Sequence, residues 1–486
     1  MDVILAGYNI DVNTIEELKN DKADNNSITP EIISAAYARI SRDPRPVNEL
    51  RAAARNEVEK ARQSNETIVF GLGHSSVAEH AVFNFDVLNI SRFAIEELEH
   101  FRLASFTEKS QRYITLAGDF IIPKEIQNTP FADSFKEIIL KQNDFYFTAF
   151  EKIKDYVFDK HKELAKDTKN TKLLEGLAKE DARYITALAT MGQLGMTVNA
   201  RELELMIRRF SSHKLEELRE LGTKLYDTVK HIAPSLVKYT NATPYDIKTY
   251  AGLKENIRSI VNNIEHIQES EQVELVHCDV NTDNLLIASL LAGASDMSFY
   301  EAEKAVINMT EDQKKEFIKQ TGKYMQFFDK TLREYEYPGF IFELVVSASC
   351  FAQLKRHRMA TITTKPYNCK LGITIPDSII QTGLDNKFKE VISDTEKVYN
   401  DIYKQHKDSA QYILTNAHKR RVLIKINARE MYHVSRLRED AHAQWDIRNI
   451  SKKMSEKVKE KAPLTAMLLC GKDEYKEKYE KVYGKC

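Results

Sequence analysis

At 486 residues, 42% hydrophobic and 29% charged, the chain can build two or three domains of roughly 100–200 residues each under a soluble surface. A formal net charge of −1 supplies no global field for DNA, RNA or an acidic membrane, so any phosphate must be held by local arginines. Five cysteines without C-x-x-C spacing disfavour a disulfide framework or a zinc site, and no apolar run approaches the ~18 residues of a membrane span. These features predict a cytoplasmic protein with no metal, no nucleic-acid partner and no membrane contact.

The chain opens on a short apolar run, MDVILAGYNI, without a basic leader or a small-residue cleavage site. Helical periodicity then dominates, around 30–65, 87–104, 132–168, 172–192, 200–232, 299–333, 386–418 and 427–462. Two runs alternate in strand fashion, HAVFNFDVL (80–88) and GFIFELVVSA (339–348), and each leads into a helical pattern ending in arginines. These halves correspond. Asn199-Ala200-Arg201-Glu202 returns as Asn427-Ala428-Arg429-Glu430, and Glu79-His80 before the first strand matches Glu336-Tyr337 before the second. DARYITALA (181–189) and SAQYILTNA (409–417), read as helical, precede the two N-A-R-E motifs at the same distance. Four landmarks in one order imply an old tandem duplication. The expected layout is a first copy over 1–235, a linker and start of the second copy over 236–285, and a second copy over 286–486. NNIEHIQESEQVE (262–274) is polar and expected at the surface.

Four constellations carry candidate chemistry. Gly73-His74-Ser75-Ser76-Val77-Ala78-Glu79-His80 is a glycine-opened turn whose hydroxyls could meet a phosphate, or a helix start with Ser75 or Ser76 as N-cap. Glu108, Ser110 and Arg112 alternate and, on extended backbone, would offer a carboxylate, a hydroxyl and a guanidinium to one ligand; a salt-bridged surface loop is the plain alternative. Gln353-Leu-Lys-Arg356-His357-Arg358 ends an apolar helix, so its cationic groups need an anion: a flavin dinucleotide pyrophosphate or an acidic neighbouring subunit. Asn427, Met431, Val434 and Arg438 fall along one helix face, where an amide and a guanidinium suit a heteroaromatic imide; Trp445 is expected in the core. A basic run, Ala417-His-Lys-Arg-Arg-Val422, offers an RNA-binding or scaffold alternative, but it is short and lacks interleaved aromatics.

Together these motifs resemble the flavin-dependent thymidylate synthase family, whose signature is R-H-R-x-x-S-x-N-E-x-S-x-R-Y. That family also has a G-H-x-x-x-x-E-H loop upstream and an N-A-R … L-R … A-Q-W-E-I-R helix downstream. The resemblance implies an α+β, helix-rich fold in two tandem copies, each a small, mostly antiparallel sheet flanked by long helices. In the first copy His100-Phe101-Arg102 stands where the family has R-H-R, yet Ser105, Glu108, Ser110, Arg112 and Tyr113 match the nucleotide half of the signature, and Arg183 matches a phosphate arginine. Ser41, His74, Ser76 and Glu79 match upstream positions. In the second copy Arg356-His357-Arg358 is intact and Gln353 sits at a nucleotide-contacting glutamine, but Thr363, Thr364, Pro366 and Asn368 replace the nucleotide half and Gln411 replaces the phosphate arginine. Arg438 falls where the family keeps an arginine over the pyrimidine, and His433 replaces an asparagine. An apparent one-residue indel leaves open whether Arg209 replaces Arg438 in the first copy.

The resemblance implies dUMP and folate as partners, FAD as cofactor, and NADPH and methylenetetrahydrofolate as co-substrates, with a homodimer imitating the family's homotetramer. Complementary losses imply that the first copy supplies the nucleotide pocket and the second the flavin grip. The implied catalytic residues are Arg438 and His74. Nucleotide contacts fall to Glu108, Ser110, Arg112, Arg183 and Gln353. Flavin contacts fall to Arg356, His357, Arg358, Asn427, Arg429, His433, Ser41, Ser76 and Glu79. A pyrimidine-nucleotide C5 hydroxymethylase and a non-catalytic flavin or nucleotide binder share most of these residues.

Overall fold

The computed structural model of the chain describes residues 1–20, 25–261 and 271–484. The chain divides into two compact units, Met1–Glu265 with Thr382–Leu414, and His266–Gln381 with Thr415–Cys486. Each is built on a four-stranded antiparallel sheet.

In the first unit the strands β1 (Asp2–Tyr8), β2 (Val82–Ser91), β3 (Ala104–Glu108) and β4 (Met191–Asn199) lie in the order β1-β2-β4-β3. β2 is the strand expected at 80–88. Its alternation turns Phe83, Phe85 and Val87 into the core, and Phe85 and Val87 face Met196 and Leu194 of β4. β4 gives a weaker sequence signal, because Gly192 takes one inward position and Gly195 one exposed position of a strand whose core face is only Leu194, Met196 and Val198.

Several helical expectations end earlier than the periodicity suggests. The stretch 87–104 is strand to Ser91, then a short helix Arg92–Leu98 capped by the Ser91 hydroxyl, then a loop before β3. The 172–192 pattern stops at Ala182 and the 386–418 pattern at Tyr403, each followed by a 3-10 turn, Arg183–Ile185 and Ser409–Ile413. Backbone pairing wins there: Leu188 and Ala189 N–H groups donate to the carbonyls of Leu414 (2.8 Å) and Tyr412 (2.7 Å). Helix Asp385–Tyr403 therefore belongs with the first unit, packed on the long helix Ala132–Lys160 through Phe145 and Phe388 (5.7 Å between ring centres) and the Gln142–Thr395 hydrogen bond.

The second unit repeats the topology with β5 (Val273–Cys278), β6 (Gly339–Ser347), β7 (Thr361–Thr364) and β8 (Lys419–Asn427) in the order β5-β6-β8-β7. β6 is the strand expected at 339–348. The edge strands even share a register irregularity, between Leu5 and Gly7 in β1 and between Leu275 and His277 in β5. Phe340, Phe342 and Leu344 pack against Val422, Ile424 and Ile426 to form the heart of this core. The basic run is thus part of an inner strand. Arg420 is buried between the rings of Phe351 (4.8 Å) and Tyr367 (4.5 Å), and Arg421 pairs with Glu343 at 2.6 Å. The 299–333 pattern resolves into helices Phe299–Ile307 and Glu311–Gly322, each opened by a capping box. The 427–462 pattern resolves into Ala428–Arg438 and Trp445–Lys461, with Trp445 half-buried at a helix start rather than inside the core. Most of the polar stretch expected at the surface, residues 262–270, lies outside the described residues. Among the described residues, no helix is long and apolar enough to cross a membrane.

Candidate functional site

The same scaffold positions the candidate side chains in both units. The serine closing the long inner strand caps the next helix and donates its hydroxyl to a buried carboxylate: Ser91 to Glu217 in the first unit, Ser347 to Asp446 in the second, each at 2.6 Å. The N-A-R-E asparagine caps its helix by accepting the glutamate N–H, Asn199 from Glu202 (2.9 Å) and Asn427 from Glu430 (2.8 Å). Its arginine reaches back to the glutamate before the inner strand, Arg201 to Glu79 (2.5 Å) and Arg429 to Glu336 (2.6 Å). The sequence correspondence of Glu79 with Glu336 is therefore a repeated ion pair.

In the first unit, β3 ends at Glu108, so extended alternation does not carry through to Ser110 and Arg112. The chain turns instead, and the Ser110 hydroxyl accepts from the Arg112 backbone N–H at 3.2 Å. The Arg112 guanidinium lies against Glu180 at 2.5 Å, while Tyr113 stands exposed beneath its charge. Arg183 follows within one helical turn of Glu180, is only 5% exposed, and donates to the Glu180 carbonyl at 3.3 Å. Burial pushes its guanidinium below the usual range, Glu180 opposes this, and the nearby charges of Arg92 and Arg112 add to it. Arg112 and Arg183 thus share one carboxylate neighbourhood. His74 and Ser76 are exposed in the loop opened by Gly73, whose φ of +78° suits glycine; Ser41 is exposed after helix Glu31–Arg39. The serine N-cap expected there is not used, since His74 occupies the cap position of the 3-10 helix Ser75–His80 without a side-chain cap bond.

In the second unit, helix Ala348–Leu354 is buried along its whole length and delivers Gln353 and His357 into the interior, with Arg356 exposed and Arg358 half-exposed. Met431 and Val434 belong to the core face of helix Ala428–Arg438, so the face expected to hold a ligand is packed, and Arg438 emerges at its end. Its Nε donates to His357 Nε2 at 2.9 Å and its Nη2 to the Gln353 carbonyl at 3.2 Å. The other imidazole nitrogen, Nδ1, lies 3.3 Å from Glu430, and the exposed His433 ring packs edge-on at 5.6 Å. The Gln353 side chain donates to Gln444 at 3.4 Å, leaving its Oε1 buried without a hydrogen-bond partner among the described residues.

The units differ at the pair His357 and Arg438. Counted without a gap from the N-A-R-E asparagine, Arg438 corresponds to Phe210, and the helix Ala200–Ser211 is continuous through it. Phe210 meets Phe101, the R-H-R replacement, edge-on at 5.5 Å. Arg209 instead pairs with Asp246 at 3.3 Å. No indel is needed, and Arg209 does not take the place of Arg438.

A family model described as thymidylate synthase complementing protein matches residues 25–235 and, again, 279–464. The chain belongs to this family, the flavin-dependent thymidylate synthases. A flavin-dependent thymidylate synthase of Clostridium tetani is 30% identical over 213 residues, 43% of this chain and 82% of its own. A UPF0159 protein of Chlamydia pneumoniae is 23% identical over 416 residues, 81% of this chain and 78% of its own, so the likeness runs through both units. A crystal structure of a Helicobacter pylori flavin-dependent thymidylate synthase, complexed with FAD and dUMP, covers 50% of this chain and 100% of its own at 19% identity and a TM-score of 0.30.

Proposed function

We propose that the protein is an FAD-dependent enzyme that transfers a one-carbon unit from methylenetetrahydrofolate to C5 of deoxyuridylate, with NADPH as reductant. The observation that carries this reading is the fixed placement of Arg438, the position the family keeps over the pyrimidine, beside a buried Gln353 whose side-chain oxygen has no hydrogen-bond partner among the described residues. An acceptor left unsatisfied in the interior is costly and fits an N–H of a bound heterocycle.

In this reading Arg183, Ser110 and Arg112 hold the nucleotide phosphate and Glu108 its neighbourhood. Arg356 and Arg358 hold the flavin, supported by the buried His357, whose ring nitrogens face Arg438 and Glu430, with Ser41, Ser76, Glu79, Asn427, Arg429 and His433 contributing around it. Bound FAD supplies the redox chemistry. Arg438 stabilises charge on the uracil carbonyl as C5 becomes nucleophilic. His74, exposed on its loop, is assigned in this reading to admitting folate or nicotinamide. A thiolate nucleophile is disfavoured: Cys350, beside this machinery, is fully buried, and burial pushes its thiol well up.

Three measurements test the proposal. The purified protein is expected to be yellow, with flavin absorbance. With NADPH and methylenetetrahydrofolate it is expected to release tritium from 5-labelled deoxyuridylate, and mass analysis of the product separates a methyl from a hydroxymethyl group. Arg183→Ala is expected to weaken deoxyuridylate binding and spare flavin, and Arg356→Ala the reverse. Equal effects of both variants on both ligands would contradict the division of labour.

A further inference from the structure

We infer that Glu430 and His357 form a positioning relay for Arg438, in which Glu430 holds the imidazole as its Nδ1–H tautomer so that Nε2 presents a lone pair to the arginine. The inference rests on the proposed role of Arg438 for its catalytic meaning, but the relay itself is a property of the folded chain.

The hydrogen-bond inventory dictates the protonation pattern. An arginine side chain only donates, so the 2.9 Å contact between Arg438 Nε and His357 Nε2 requires Nε2 to accept. A neutral imidazole that accepts at Nε2 carries its proton on Nδ1, and Nδ1 faces the Glu430 carboxylate at 3.3 Å. His357 is 2% exposed and Glu430 9%, so water is a poor substitute for either partner. The second Arg438 contact, from Nη2 to the Gln353 carbonyl, uses the same edge of the guanidinium and so fixes its plane. Of these two acceptors the backbone carbonyl cannot change, whereas the imidazole depends on its tautomer.

The first copy shows what the glutamate does without this pair. There Glu202 accepts the backbone N–H of Leu103 at 3.2 Å and so anchors the loop that carries the R-H-R positions, while Phe101 and Phe210 fill the space between. Anchoring the loop is thus what the N-A-R-E glutamate does where the histidine is absent. Where histidine and arginine are retained, the carboxylate faces the imidazole.

A metal site is the competing reading, because ligand atoms of His357, Glu430 and His433 lie within 4.8 Å of one another. Metal binding needs a lone pair on His357. The Nε2 pair is already taken by Arg438, and placing a metal on Nδ1 would put Nε2–H against the arginine N–H. The relay and a metal exclude each other.

The experiment is nitrogen NMR of the full chain labelled at histidine, with the His357 signals identified by their loss in His357→Gln. The expected result is a protonated Nδ1 and an unprotonated Nε2 in the parent protein. Glu430→Gln should keep that tautomer, since its amide oxygen still accepts, whereas Glu430→Ala should convert His357 to the Nε2–H form. An Nε2–H tautomer in the parent, or joint shifts of His357 and His433 on adding zinc, overturns the relay. In the transfer assay Glu430→Ala should lower kcat by about 100-fold through misplacement of Arg438, with a smaller change in KM, and Glu430→Gln should recover most of it. If Glu430→Ala does not fold, the parent and Glu430→Gln spectra still decide. The expected tautomers in a protein without transfer activity would leave the relay standing and defeat the functional reading alone.

Discussion

Phe101 and Phe210 meet edge-on, 5.5 Å between ring centres, at the two positions where the second copy pairs His357 with Arg438. The substitution is coupled. An arginine opposite Phe101 would be a buried charge without an acceptor, and a phenylalanine opposite His357 would strand an imidazole lone pair. Phe210→Arg alone is expected to destabilise the protein by about 3–5 kcal/mol. The double variant Phe101→His with Phe210→Arg should lose less than the sum of the singles, with an interaction of at least about 1 kcal/mol in urea unfolding. Simple additivity would show that the two sites are independent.

The strand-end serines give a second test. Ser347 both caps helix Ala348–Leu354 and donates to the buried Asp446, and Ser91 does the same toward Glu217. Losing a cap costs about 1 kcal/mol and stripping a buried carboxylate of its donor costs more. Ser347→Ala is therefore expected to lower stability by about 2–4 kcal/mol, and Ser91→Ala by a similar amount, read as a shift of the urea midpoint at unchanged slope. A change below about half a kcal/mol in either would deny the clamp its structural role.

The duplication was legible because its landmarks are residues whose types are dictated by geometry. Asn199 and Asn427 cap helices, Glu79 and Glu336 pair with the following arginines, and alternation in β2 and β6 marks inner strands. The partner strands β4 and β8 were not foreseen. Gly192 takes a place on the apolar face of β4 and Gly195 one on its exposed face, and Lys419, Arg420, Arg421 and Lys425 disguise β8, although Val422, Ile424 and Ile426 alternate inward as a strand requires. Helix ends were overrun at Ala182 and Tyr403 because the residues beyond keep an apolar rhythm while their backbones pair with a distant segment. The Phe210 counterpart of Arg438 was hidden for another reason. Arg209 lies one residue away and carries the expected residue type, and only the continuous helix shows that Phe210 stands in line.

Arg429 separates a structural from a ligand-binding role. Its pair with Glu336 is about one-third exposed on both sides, and such pairs contribute roughly 0–1 kcal/mol. Arg429→Ala should shift the unfolding free energy by less than about 1 kcal/mol. Flavin content per chain, measured from absorbance after purification, then reads the second role. A clear loss of flavin at near-parental stability supports contact with the cofactor, and unchanged flavin restricts Arg429 to the ion pair.

His213 sets an acid limit on stability. Burial pushes its imidazole down to about 4, only partly opposed by Asp408, and its Nδ1 accepts the Leu215 N–H at 3.1 Å at the start of helix Glu216–Val229. The folded chain therefore favours the neutral ring, while the unfolded chain protonates it near its ordinary value of 6.5. The contribution is fully present above that value and is lost as pH falls toward about 4, by up to roughly 3 kcal/mol. An asparagine at this position can accept the same backbone N–H, as in an Asx turn, and does not titrate. His213→Asn should hence flatten the decline in urea-derived stability between about pH 6.5 and 4 by about 1–3 kcal/mol relative to the parent. Parallel curves for the two proteins would place the acid sensitivity elsewhere.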